Sequence, residues 1–274
     1  MKNKNNIFIY IFLLMMSIVF VFPFYFMIIS ATNASVDVTS GSLLPGKELL
    51  NNLKNVFEQT DMVTALKNSA IIAVSQTVLS LIISSIAGYA FEVYRSKWTD
   101  IVFNIILMSM MIPFAALMIP LFKFFGRLST INPMIGFNTY ASAYLPYIAT
   151  AFLIFYFRQN TKMFQQELLE AGRIDGLSEI GLFFRIYMPT MKNTYAAAAI
   201  ITFMNAWNNY LWPLVTLQTN EMRTVPLLLS NLGSSYAPDY GLMMIAILIA
   251  TIPTLIIFFV LQKYFVAGML GAVK

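Results

Sequence analysis

The chain has 274 residues, 59% of them hydrophobic and 11% charged, and a mean hydropathy of +0.73 excludes an ordinary soluble domain. Cysteine and histidine are both absent, which removes thiolate nucleophiles, zinc–cysteine clusters and imidazole bases at once. A net charge of +5 would suit nucleic acid, but the basic residues lie between apolar runs, as in membrane-protein loops.

An all-α polytopic membrane protein with six transmembrane helices is expected, since the length suits about six spans and short connections. Residues 1–6 carry Lys2 and Lys4, and 7–30 run apolar without a charge. A secretory signal peptide competes for this stretch, because Thr32-Asn33-Ala34 is loosely cleavage-like. The apolar run exceeds the roughly 7–15 residues of a signal core, so it reads as a retained first span. Residues 31–67 form a polar outer loop. Within it Gly41, Gly46 and Lys47 approach a phosphate-binding loop, but Glu48 stands where the motif requires Ser or Thr, and no strand precedes it. The chain thus shows no ATPase motif of its own.

The second span is 68–93, where Ser80, Ser84, Ser85, Ala87 and Gly88 offer a small-residue face for close helix contact. The third, 101–125, contains Pro113 and Pro120; such prolines either kink a helix or line a pathway where freed carbonyls find partners. The fourth is 132–157, with Pro146 inside it. Then comes the one long polar block between spans on this side of the chain, 158–192. It holds four of the 12 carboxylates, Glu167, Glu170, Asp175 and Glu179. Gln165 to Ile174 has helical apolar spacing, Gly176 suits a left-handed helix stop, and Ser178 suits the cap of a second helix. Leu182, Phe183 and Ile186 give that helix an apolar face, and Pro189 is expected to end it.

This block resembles the EAA loop of ABC importer permeases: Glu170-Ala171-Gly172, then Asp175-Gly176-Leu177, then Ile186 and Pro189. Glu167 to Ala171 and Ile174 to Gly176 follow the version found in carbohydrate permeases of the maltose type. Gly172 departs from the usual alanine, which weakens the helix by roughly 1 kcal/mol, and Met188 replaces the usual leucine. The fifth span, 194–217, places Asn205, Trp207, Asn208, Asn209, Tyr210 and Trp212 at membrane depth, where amides need protein or water partners. Its Phe203, Trp207-Asn208 and Leu211-Trp212-Pro213-Leu214 again resemble the maltose type. A second outer loop, 219–240, leads to the sixth span, 241–266, and a tail, 267–274, whose Gly271, Ala272, Val273 and Lys274 also resemble that family.

With the N-terminus inside, eleven of the 17 basic residues fall on inner segments and six on outer ones, so both termini and the 158–192 block are expected in the cytosol. No ionisable residue lies in the middle of a span, which disfavours a proton-coupled carrier. Sodium coupling through carbonyls and a non-transporting scaffold remain alternatives. The resemblance implies a type I ABC importer permease in a bacterial cell membrane. It implies a second homologous permease, two ATP-binding subunits that use ATP and magnesium, and an extracytoplasmic sugar-binding protein. This chain would be no enzyme and would bind no cofactor or metal. ATPase coupling would fall to Glu167, Glu170, Ala171, Gly172, Asp175, Gly176 and Leu177, with Gly271 to Lys274. Asn205, Trp207, Asn208, Tyr210 and Trp212 would line the pathway for a carbohydrate, an oligosaccharide above all; helix packing is the competing role for these aromatics. Asn231, Gly233 and Tyr236 would meet the binding protein.

Overall fold

The computed structural model describes residues 2–271, with side chains from 7 to 263. Every regular element among them is helical. In chain order these are α1 (Lys2–Ala31), α2 (Ser35–Thr39), α3 (Leu49–Gln59), α4 (Met62–Val93) and α5 (Lys97–Met108). There follow α6 (Phe114–Ile131), α7 (Tyr140–Tyr144), α8 (Ala151–Thr161), α9 (Glu167–Ile174), α10 (Glu179–Gly181) and α11 (Met188–Thr190). The last are α12 (Lys192–Trp207), α13 (Leu211–Thr216), α14 (Val225–Gly233) and α15 (Tyr240–Gly271).

Among the described residues, four segments are singly long and apolar enough to cross a bilayer: Ile7–Ala31, Met62–Val93, Phe114–Ile131 and Tyr240–Lys263. Tyr140–Tyr147 and Ala151–Thr161, bent by 49°, make a fifth if counted as one. The stretch 101–125 is divided between α5 and α6 at Ile112 and Pro113, where the proline has no N–H to continue the ladder. Pro120, by contrast, lies inside α6 without breaking it. The stretch 194–217 is divided between α12 and α13, with Asn208 to Tyr210 outside either helix.

The chain divides into two compact units, 1–65 with 227–253 and 66–226 with 254–274. In the first, buried Asn52 ties α3 to the end of α1: its amide donates to the carbonyls of Ala31 and Asn33, both at 3.0 Å. Asp239 caps α15 by accepting from Leu242 N at 3.1 Å and receives the Ser35 hydroxyl at 2.7 Å. From Ile7 onward the side chains of α1 are exposed along almost its whole length in the single chain, and nearly all of them are apolar.

In the second unit α4 is the central member. Ser80, Ser84, Ser85 and Gly88 are all buried, and Ser80 donates to Tyr147 O at 3.0 Å. A Cβ on Gly88 would lie 2.6 Å from Phe157 Cβ and 2.8 Å from Arg158 N, so glycine is what lets α4 and α8 touch. Asn68, 1% exposed, closes the other end of the unit. It donates to Glu221 O and Arg223 O and accepts the Tyr140 hydroxyl at 2.8 Å. Asn138, with φ of 56°, turns its carboxamide oxygen onto Gln218 N at 2.6 Å and Thr219 N at 3.2 Å. Asparagine tolerates that left-handed backbone better than most residues.

Candidate functional site: the 158–192 segment

The segment is held at its start by Arg158, in the last turn of α8 and 4% exposed. Its Nε lies 3.1 Å from Glu92, its Nη2 pairs with Asp100, and its guanidinium sits 4.0 Å from the Phe103 ring centroid. Asp100 also pairs with Arg95 at 3.1 Å. The hydrogen bonds from Arg158 and then Arg95 hold the Asp100 carboxyl below its usual range. One buried cation thus joins the ends of α4, α5 and α8.

Beyond it, α9 turns Leu169 and Gly172 inward and leaves Glu167, Glu170, Ala171, Arg173, Ile174 and Asp175 exposed. The helix closes in a Schellman motif: Leu177 N donates to Gly172 O and Gly176 N to Arg173 O, each at 3.0 Å. Gly176 takes φ of 83°, and a Cβ added there would meet open space. Ser178 caps the next helix by accepting from Gly181 N at 3.2 Å. A Cβ on Gly172 would meet the Ile186 and Leu182 terminal methyl groups at 2.5 and 2.6 Å. The glycine that weakens α9 therefore admits the second helix.

That second helix does not stop at Pro189. It runs from α10 through a π-helical stretch, Leu182–Tyr187, into α11, which contains the proline. An α ladder would drive the proline ring into the carbonyl four residues earlier, and the wider π turn relieves this. The Thr190 hydroxyl donates to the Ile186 carbonyl at 2.7 Å. Tyr89 of α4, Phe164, Leu169, Leu182, Phe183 and Tyr187 form the core beneath. The rings of Tyr89 and Tyr187 lie 4.8 Å apart, and Tyr187 shares a 2.6 Å hydrogen bond with Thr161. At the rim Arg173 grips Glu179 with two bonds, 2.9 and 3.2 Å, and the Tyr94 hydroxyl donates to the same carboxylate. The hydrogen bond from Arg173, then that from Tyr94, lowers the Glu179 carboxyl from its ordinary value of 4.5. The Tyr94 phenol is raised, first by burial and then by Glu179. Neither clamp was foreseen from sequence, where Arg158 and Glu179 read only as loop charges.

The residues at 205–212 separate. Trp212 is fully buried, donates through Nε1 to Ser142 O at 2.8 Å, and packs edge-on against Phe114 and Phe125. Trp207 is buried and stacks on Phe203 at 5.7 Å. Asn205 and Asn208 are exposed and Tyr210 half-buried; Asn208, just past the end of α12, donates its amide back to Met204 O in the last turn of that helix. In the first unit Asn231 and Gly233 are exposed on α14, and Tyr236 protrudes fully. Gly271 is the last residue of α15, and Ala272, Val273 and Lys274 lie outside the described residues.

With this geometry in place, residues 80–271 match the family described as binding-protein-dependent transport system inner membrane component. The chain is 47% identical over 249 residues, 91% of its length and 89% of the other, to the lactose transport system permease protein LacG of Rhizobium radiobacter. It is 39% identical over 208 residues, 76% of its length and 72% of the other, to the arabinooligosaccharides transport system permease protein AraQ of Bacillus subtilis. It is 29% identical over 257 residues, 91% and 89% of the two chains, to the sn-glycerol-3-phosphate transport system permease protein UgpE of Pectobacterium atrosepticum. A solved bacterial ABC transporter involved in importing the acidic polysaccharide alginate shares the fold, with a TM-score of 0.84 and 21% identity over 96% of both chains. The chain belongs to this family as a multi-pass, inner-membrane permease component of a binding-protein-dependent ABC importer, in which ATP hydrolysis falls to a separate subunit.

Proposed function

We propose that this chain is one of two paired permease subunits that pass an oligosaccharide, a disaccharide of the lactose kind, from an extracytoplasmic binding protein across the membrane. The observation that carries the reading is the 158–192 knob, built on an aromatic base and presenting Glu167, Glu170, Ala171, Ile174 and Asp175 outward. An exposed, rigid face of this kind suits a protein partner that pushes from outside the bilayer. Two ATP- and magnesium-using subunits are that partner, and by the resemblance to the family Gly271 to Lys274 supply a second contact with them. The sugar class rests on the 47% identity to a lactose permease and on the arabinooligosaccharide relative.

Six spans with both termini in the cytosol place the knob beside the ATPases. Asn205, Asn208 and Tyr210 face the pathway, and Trp207 and Trp212 support its wall from behind. Asn231, Gly233 and Tyr236 meet the binding protein. The test is lactose uptake into proteoliposomes holding both permeases, the ATPases and the binding protein. Uptake that needs ATP inside and survives an ionophore supports the reading. Uptake by this chain alone, or a topology map that puts Asp175 outside, overturns it.

A further inference from the structure

A cavity of about 90 Å³ lies inside the second unit, against α4, α8 and α12. Gln76, Tyr147, Thr150, Phe152, Thr202 and Asn205 line it. Gln76 and Thr202 are each only 4% exposed, yet Gln76 Oε1 and Thr202 Oγ1 have no hydrogen-bond partner in the protein. Buried polar atoms are nearly always paired, so each exception calls for an explanation. Helical threonines usually settle the matter by donating to the carbonyl four residues back. Thr77, Thr161 and Thr216 do so here, at 2.7, 2.7 and 2.9 Å. Thr202 does not. Gln76 of α4 and Thr202 of α12, each carrying a buried oxygen without a partner, instead line one small space.

We propose that this cavity is a hydroxyl-binding subsite contributed by this chain, which holds the edge of one sugar ring in transit through Gln76 and Thr202. The subsite rests on the carbohydrate reading above and adds to it the groups that recognise the cargo. An amide and a hydroxyl together both donate to and accept from vicinal hydroxyls. Asn205, exposed at the same cavity, adds a second amide. Phe152, 42% exposed, presents an aromatic ring to the apolar face of a pyranose. The volume equals that of about three waters, so the cavity takes an edge and not a disaccharide. A partial grip suits a way-station that must release its ligand.

The test uses the complete importer in proteoliposomes, with lactose and a panel of monodeoxy-lactoses as probes, and uptake read per assembled complex. Thr202→Val keeps the shape and removes the hydroxyl, and Gln76→Met removes the amide. Each lowers lactose uptake about tenfold, and each brings the transport ratio of lactose to at least one monodeoxy analogue close to one. Thr202→Ser restores both uptake and discrimination. Uptake within twofold of wild type in both variants, or deoxy-sugar ratios that do not move, overturns the subsite. So does an equal loss in Thr202→Ser and Thr202→Val, which marks a packing role. A wild-type importer that hydrolyses ATP but moves no lactose defeats the lactose reading itself, and the subsite falls with it.

Discussion

At the scale of single residues, three glycines do three different jobs. Gly88 stands where α4 meets the backbone of α8, and an added Cβ has only backbone and a Cβ to displace. Gly88→Ala therefore destabilises the fold by about 1–3 kcal/mol, read as a lower melting temperature of the purified complex. Gly172 faces the flexible ends of Leu182, Ile186 and, at ordinary contact distance, Leu177. Gly172→Ala sets a helix gain of roughly 1 kcal/mol against that small repacking, and its melting temperature stays near wild type. Gly176 has room but the wrong backbone for a side chain, at φ of 83°. Gly176→Val is expected to lower stability by about 1–2 kcal/mol, and Gly176→Asn by less, in the same melting experiment.

At the scale of elements, two charge clusters set how helices meet. Arg158 and Glu92 have side chains only 5% and 9% exposed. Removing the cation strands a buried carboxylate, so Arg158→Met lowers stability by about 3–5 kcal/mol. Adding Glu92→Gln recovers part of the loss, and a double-mutant cycle on thermal melting measures the coupling. The Arg173–Glu179–Tyr94 clamp is largely exposed and contributes less. Its carboxyl is depressed in the folded state, so its contribution is complete above 4.5 and fades as pH falls through the lowered value. Hydrogen-exchange protection of the 173–181 amides should drop on acidification below 4.5, and Glu179→Gln should flatten that dependence.

At the scale of the whole molecule, the knob proposed to couple to the ATPases packs directly on a membrane helix. Tyr89 on α4 packs at 5.3 Å against Phe183 of the knob, and α4 also carries Gln76. On the proposed coupling role, a push at Glu170 is passed through this contact to the helix that carries Gln76 into the cavity wall. Glu170→Lys, a reversal on an exposed face, leaves the chain in the membrane at its normal level and abolishes ATP-driven uptake. Immunoblotting of membranes beside an uptake assay checks both halves.

Much of this was legible beforehand, because its causes are local. Gly176 as a helix stop, Ser178 as a cap and the small-residue face of α4 follow from what each residue type does to its own backbone or diameter. The all-helical membrane class follows from composition, since a bilayer allows a backbone few other solutions. The tertiary structure alone decided that Pro189 sits inside a π-widened helix, that Trp212 is core while Asn205 is open, and that Arg158 bridges three helices. It alone decided that the hydroxyl of Thr202 is left without a partner. These outcomes depend on which side chains arrive from distant segments, and neither propensity nor periodicity carries that information.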